Sequence, residues 1–368
     1  MLPIKNNLSQ LVRFKNSEQS RFGYLRLDKN ENVLPLPVPL IQKLQKAVTA
    51  DFISAYPEVD PFYKKIAKYA GFSPENIYLS SGSDGVIKAV FEVFVEPGDK
   101  VVLLSPSYAM FYVYAKIFMA DLKEIFYDHD LVVSADKIVE EIKTIKPKLV
   151  CIANPNSPTG TIIEPGDLER IIEAAAQIKA VVLIDEAYYL FYPQSCENLI
   201  QRMPHLVVTR TFSKAFGLAS ARLGYAVGHK EMIKCLYKVR PMYETNAYAL
   251  RFGEIVLDHL PLIKKNLKIL QAGKKYLEEQ LTQMKLPFFK SYANFVLIDM
   301  GSKERALQAA EFLKGKKILV KTGFDFLPLQ RCMRVNIGQR QQMAVLLKAL
   351  RQFQTQKIIP AENQLVSV

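Results

Sequence analysis

Four apolar runs of strand length, Val101-Val-Leu-Leu, Leu149-Val-Cys-Ile, Val181-Val-Leu-Ile and Leu206-Val-Val, recur through the first two thirds of the chain with helical stretches between them. A strand that is apolar at every position has no face to offer water, so a sheet built from such strands must be covered on both sides. Alternation with helices supplies that cover and argues for a mostly parallel sheet, an α/β architecture. After about Ala247 the pattern changes. A long helix is expected from Leu262 to about Met284. Two short strands follow, near Phe295-Val-Leu-Ile and Met333-Arg-Val-Asn, separated by a helix around Arg305 to Leu313. This describes a second, smaller α+β domain.

Chemistry is concentrated at the ends of these runs. Directly after Leu206-Val-Val lies Thr211-Phe-Ser-Lys-Ala-Phe-Gly-Leu-Ala-Ser-Ala-Arg222. Lys214 can form a Schiff base with a carbonyl cofactor, and Thr211, Ser213 and Arg222 can hold a phosphate by charge-assisted hydrogen bonds. Pyridoxal 5'-phosphate (PLP) needs both. The run Val181-Val-Leu-Ile delivers Asp185 and, three residues on, Tyr188, at the strand end where open α/β sheets bind ligands. A carboxylate there keeps the PLP ring nitrogen protonated, and a phenol bonds the ring hydroxyl. A strand-end cap is the plainer reading of Asp185, but a carboxylate emerging from so apolar a strand needs a partner. In Leu79-Ser-Ser-Gly-Ser-Asp-Gly85, a glycine turn leads into a helix whose first N–H groups suit a phosphate. Gly82, Ser83 and Asp84 supply backbone donors there, and the Asp84 side chain is expected to cap the helix.

In this order the segments resemble the fold type I PLP enzymes, in particular class I/II aminotransferases of the histidinol-phosphate aminotransferase type. The resemblance runs over nearly the whole chain. It includes Leu27-Asp-Lys-Asn-Glu-Asn32, Ala55-Tyr-Pro57, Ser80 to Asp84, Pro106-Ser-Tyr108, Asn154-Pro-Asn-Ser-Pro-Thr-Gly160, Asp185 to Tyr188, Ser213-Lys214 with Arg222, Ala293-Asn-Phe295 and Met333-Arg-Val-Asn-Ile-Gly338. It implies a PLP-dependent transaminase of amino-acid biosynthesis. Lys214 is then the Schiff-base lysine and proton shuttle, Asp185 the pyridinium partner and Tyr188 the ligand of the ring hydroxyl. Tyr108 stacks on the ring. Tyr56 reaches the phosphate of the neighbouring subunit, which implies a homodimer. Arg334 clamps the substrate carboxylate with its planar fork, and Asn32 and Lys321 join it in the substrate site. The same resemblance implies a large PLP-binding domain over residues 40–247, and a small domain made of 248–368 with the N-terminal arm 1–39. The partners expected are an amino donor, glutamate by the family's habit, and a keto or phosphorylated acceptor. A PLP decarboxylase of the threonine-phosphate type shares these motifs and is the alternative.

The departures bear on substrate. Ser157 stands where the family's asparagine bonds the ring hydroxyl, leaving that contact to Tyr188, a water or Asn156. Gly85 replaces a usual glutamate. Lys321 replaces an arginine that meets the substrate phosphate, keeping the charge but not the bidentate fork. Arg240-Pro-Met-Tyr-Glu-Thr-Asn246 also differs from the family's segment. Carboxylate recognition is therefore expected to survive, with histidinol phosphate a poor substrate.

Composition excludes little else. No apolar stretch reaches the roughly 20 residues of a membrane helix, and the start of the chain lacks the basic-then-apolar layout of a secretory signal, so a cytoplasmic protein is expected. Cys151, Cys196, Cys235 and Cys332 are widely spaced, which favours reduced thiols over zinc or disulfides. The four histidines show no ligand spacing, and no metal is expected. The net charge of +13 comes from dispersed lysines without a nucleic-acid signature, and it suits small anionic substrates. The tail from Ile358 to Val368 is expected to fray.

Overall fold

A computed structural model describes residues 4–9, 11 and 20–355; the tail from Ile358 lies outside them. Seven strands form the main sheet: β2 (Ile77–Ser81), β3 (Lys100–Ser105), β4 (Asp121–Phe126), β5 (Leu149–Ala153), β6 (Val181–Asp185), β7 (Leu206–Thr211) and β8 (Leu223–Gly228). A further two-residue strand, β1 (Leu25–Arg26), precedes them, and β9 (Phe288–Phe289), β10 (Phe295–Asp299), β11 (Ile318–Leu319) and β12 (Cys332–Asn336) follow. The order across the main sheet is β2-β8-β7-β6-β5-β3-β4. Only β8 runs against its neighbours; all other pairings are parallel. Strand β2 therefore points the same way as β3, β5, β6 and β7, and their C-terminal ends open on one edge.

Strands β5, β6, β7 and β8 are buried along their whole length. Two apolar clusters cover the sheet. One gathers Val102, Val150, Val182 and Val208 with helices Asp60–Ala70 and Pro165–Gln177. The other sets Val101, Leu103, Leu183 and Val207 against helices Ser83–Phe94 and Ala109–Ile117. Neighbouring residues of one strand thus point into opposite cores, as the two-residue period requires. The sheet is the mostly parallel α/β sheet expected.

Two strands were not legible in the sequence for different reasons. Edge strand β4, Asp-Leu-Lys-Glu-Ile-Phe, is half-exposed and charged, as suits a sheet edge. Strand β8 is Leu-Gly-Tyr-Ala-Val-Gly, and glycine dilutes its strand signal. Gly224 has a steric cause: a Cβ there would sit 2.3 Å from the Gly82 carbonyl carbon and 2.4 Å from the Ser83 nitrogen.

The second body is an antiparallel sheet in the order β12-β10-β9, with β10 and β12 in register from Phe295 opposite Asn336 to Asp299 opposite Cys332. Helices Leu260–Gln283, Lys303–Gly315 and Arg340–Thr355 enclose its core with Val296, Ile298, Met333 and Val335. The long helix starts two residues before its expected first residue, with Pro261 in its first turn. Strand β1 pairs parallel with β11, so the N-terminal segment is stitched to this second body.

Candidate active site

A cavity of about 900 Å³ lies at the strand-end edge and collects residues from both bodies. Strand β6 brings Asp185 and Tyr188, and β7 brings Thr211, Ser213 and Lys214. The end of β3 and the turn after it bring Ser105, Pro106, Ser107 and Tyr108, and the end of β5 and the turn after it bring Ala153, Pro155, Ser157 and Pro158. Ser83 and Asp84 start the helix after β2. Lys29, Asn30 and Glu31 come from the N-terminal segment, and Lys321 and Arg334 from the second body.

One end of the cavity is a cup of donors. The helix Ser83–Phe94 begins at Gly82, whose φ of 75° is a left-handed value that favours glycine. A Cβ on Gly82 would lie 2.5 Å from Arg222 Nη2. Arg222 Nη1 donates to Ser213 Oγ at 3.3 Å, Thr211 Oγ1 donates to the same oxygen at 3.0 Å, and the Ser213 amide donates to Thr211 Oγ1 at 3.1 Å. A guanidinium, two hydroxyls and a helix N-terminus thus meet with no carboxylate paired to Arg222 among the described residues, the electrostatics of a phosphate site.

The apolar run of β6 ends at Ile184, and the next residue, Asp185, is buried at 3 % exposure. Burial, with Asp84 and Glu186 adding like charge, pushes its pKa up to about 7 against the pull of the Ala187 amide and Lys214. The Ala187 N–H donates to its Oδ1 at 3.0 Å. Behind it Glu186 is answered by Arg210, whose Nε donates at 2.9 Å and whose guanidinium lies 3.5 Å from the centroid of Tyr189. Asp185 has no such cation bonded to it among the described residues; the charge of Lys214, which lines the same cavity, acts on it through space. Tyr108 walls the site, its phenol donating to Asp84 at 3.3 Å; burial, then the charges of Asp84 and Asp185, raise its pKa above the usual tyrosine value.

Arg334 also lines the cavity. Its Nη2 donates to the Asp28 carbonyl at 3.1 Å, while Nε is buried without a protein partner among the described residues. The guanidinium lies 5.2 Å from the Phe295 ring centroid and 5.9 Å from that of Phe324. Burial draws its pKa below the ordinary arginine value. The Lys321 backbone pairs with that of Arg334 through bonds of 3.0 and 2.8 Å, which sets the two cations side by side.

Several expected residues sit elsewhere. Asn32 does not line the cavity: its Nδ2 donates to the Ala215 carbonyl at 3.2 Å and its Oδ1 caps the Leu34 amide at 3.0 Å, so it ties the N-terminal segment to the turn after Lys214. Asn156 is also absent from the wall, because Ser107, Pro106 and Thr159 use its side chain at 2.8, 2.9 and 2.8 Å. Ser157 does line the cavity. Asp84 is not the helix cap; Gly82 holds that position and Asp84 takes the Tyr108 phenol instead. Tyr56 is 73 % exposed and stacks on Tyr243 at 4.0 Å, outside its own chain's cavity. Two residues went unread. Asn30 donates from Nδ2 to the Tyr188 hydroxyl at 2.8 Å. Glu244 accepts from the Ser81 amide at 3.0 Å and fills the space beside Gly85, where a Cβ would meet its Oε1 at 2.5 Å. Both lie far in sequence from the groups they touch, and a local motif carries no signal for that.

A lysine that shares a cavity with a cup of donors and a buried guanidinium, at the strand ends of a doubly covered α/β sheet, is the layout of a PLP-dependent enzyme of fold type I. The family model for aminotransferase class I and II matches residues 23–350, and the chain belongs to that family. Among its relatives, the histidinol-phosphate aminotransferase of Caldanaerobacter subterraneus subsp. tengcongensis is 32 % identical over 95 % of this chain and 99 % of its own. That of Thermoanaerobacter pseudethanolicus is 31 % identical over 95 % of this chain and 99 % of its own. The crystal structure of histidinol-phosphate aminotransferase from Sinorhizobium meliloti in complex with pyridoxal-5'-phosphate superposes with a TM-score of 0.81 at 25 % identity, covering 90 % of each chain. The chain is accordingly a PLP-dependent transaminase, acting on small molecules, and the decarboxylase alternative is not favoured. Among the described residues no helix is long and apolar enough to cross a membrane.

Proposed function

We propose that this transaminase moves an amino group between glutamate and a small anionic carbonyl compound of the histidinol-phosphate type, with Lys214 as the catalytic base. One observation carries the reading: Arg334 presents a guanidinium with a buried, unpartnered Nε to the same cavity as Lys214. A buried charge without a partner is costly, and a substrate carboxylate supplies the missing anion with two parallel bonds.

The residues present fit PLP. Gly82, Ser83, Thr211, Ser213 and Arg222 would hold its phosphate, Asp185 its ring nitrogen, Tyr188 and Ser157 its ring oxygen, and Tyr108 its face. Bound there, PLP supplies an electron sink for charge developing on the substrate Cα. The chain's own part is to place and to move protons. Arg334 would fix the carboxylate and so place Cα within reach of Lys214, whose amine would take the Cα proton and give it back two atoms away, at the cofactor carbon beyond the shared nitrogen. Asp185, ionised against a cationic ring nitrogen, is relieved of the burial cost that it bears alone.

The small-molecule partners named by the relatives support a phosphorylated substrate, and Lys321 beside Arg334 would meet that phosphate. Lys321 lacks the fork of an arginine, so histidinol phosphate is expected to be gripped weakly. Steady-state kinetics with glutamate and histidinol phosphate test this. Efficient turnover of histidinol phosphate, with kcat/KM of roughly 10⁴ M⁻¹s⁻¹ or more, would overturn the specificity reading and make it the natural substrate.

The exposed stack of Tyr56 on Tyr243 supports a homodimer in which Tyr56 serves the neighbour's phosphate cup. Sedimentation should give a dimer, and a fully active monomer would refute the shared site. The division proposed remains a PLP-binding domain over 40–247 and a small domain from 248–368 with residues 1–39, in a cytoplasmic enzyme.

A further inference from the structure

Asn30 occupies a constrained place. It is buried, at 3 % exposure, with φ of 54°, a left-handed value that asparagine tolerates better than most residues. Its backbone is held from the second body: its amide donates to Asn336 Oδ1 at 2.9 Å and its carbonyl accepts from Asn294 Nδ2 at 3.0 Å. Asn336 Nδ2 also donates to the Glu31 carbonyl at 3.3 Å. The side chain is thereby aimed across the domain boundary, where Nδ2 donates to the Tyr188 hydroxyl oxygen at 2.8 Å.

A phenol has one proton to give. With its oxygen accepting from Asn30, that proton is left for another acceptor. Tyr188 is itself buried and packs its ring edge-on to Phe295, with centroids 5.7 Å apart, so the ring cannot swing to choose a partner. We infer that Asn30 is a positioning residue that orients the Tyr188 hydroxyl, holding its proton toward the cavity where the ring oxygen of the cofactor binds. This rests on the placement of Tyr188 proposed above. It also gives the N-terminal segment a role in tuning the cofactor, at a site where Ser157 offers only a short hydroxyl.

A hydrogen bond donated to the ring oxygen favours its charged form and lowers the pH at which the bound cofactor's visible absorption changes. The charged and titratable groups that line the cavity with Tyr188 are Asp84, Tyr108, Tyr112, Asp185, Lys214, Arg222, Lys321, Asp325 and Arg334, with Lys29 and Glu31 on the segment of Asn30 itself. Asn30→Asp keeps the shape and the left-handed backbone but replaces a donor by an acceptor, so the introduced carboxylate takes the Tyr188 proton for itself. Its charge acts on the cofactor too, and a cycle with Tyr188→Phe separates the two effects.

The experiment is a visible pH titration of the PLP-loaded parent, N30D, Y188F and N30D/Y188F proteins, with N30G as the neutral variant that preserves the backbone should N30D not fold. The expected result is a midpoint raised by about one pH unit in N30D, by less in N30G, and by clearly less when either change is added to Y188F. Equal shifts in both backgrounds, or no shift in N30D and N30G beside a shifted Y188F, would overturn the role of Asn30 alone. An unmoved Y188F would overturn the placement of Tyr188 and this inference with it.

Discussion

Replacing Asp185 by asparagine should stabilise the cofactor-free protein while abolishing its chemistry. Burial carries the Asp185 pKa from 3.8 to about 7, so at neutral pH the folded chain holds a carboxylate that its surroundings disfavour. The unfolded chain binds fewer protons at this group through the window between those values, and stability therefore falls as pH rises through it. At 1.36 kcal/mol per unit, a rise of about three units is a penalty of about 4 kcal/mol above pH 8, and of less than half that at pH 5. The asparagine amide keeps an oxygen for the Ala187 N–H and carries no charge, so D185N removes the penalty and little else. Urea unfolding of cofactor-free parent and D185N proteins at pH 5 and pH 8 reads it: the gain should be about 2–3 kcal/mol larger at pH 8. Titrating groups that do not feel the Asp185 charge cancel in the difference. A gain independent of pH, or none, would refute the reasoning that Asp185 is a strained anion awaiting a cation.

Two further outcomes follow from the same geometry. Arg334→Ala should raise the KM for the amino donor and cost roughly 2–5 kcal/mol in kcat/KM, the scale for stranding a charged partner, whereas an unchanged KM would remove the carboxylate from Arg334. Gly82→Ala, which sets a Cβ 2.5 Å from Arg222 Nη2 at a left-handed φ, should weaken PLP retention severely; equilibrium dialysis with PLP checks this, and parent-like affinity would mean that the cup is not the phosphate site.

What the sequence made legible divides along physical lines. Strands β5, β6 and β7 were plain because burial on both faces demands unbroken apolar runs, and Asp185 and Lys214 stood out as the polar residues at their ends. Gly82 was readable as a turn before a helix. The cause of Gly224 was not, since its constraint comes from backbone 142 positions away, given the numbers of the two glycines. Asn32 and Asn156 were assigned to the site by their motifs, yet their amides are consumed by neighbouring backbone and hydroxyl groups. Motif position says that a residue is near; only geometry says where its hydrogen bonds go. Asn30 and Glu244 show the converse, reaching Tyr188 and Ser81 across 158 and 163 residues of chain.

In the proposed site Lys214 carries the cofactor, in the cavity that it shares with Arg222 and Arg334. Borohydride reduction of the PLP-loaded protein, followed by peptide mapping, tests it most directly. The yellow absorption should be lost and the fixed cofactor should map to Lys214, with Lys214→Ala still retaining some PLP through the cup but showing no turnover. Cofactor fixed to another lysine, or a protein that binds no PLP, would contradict it.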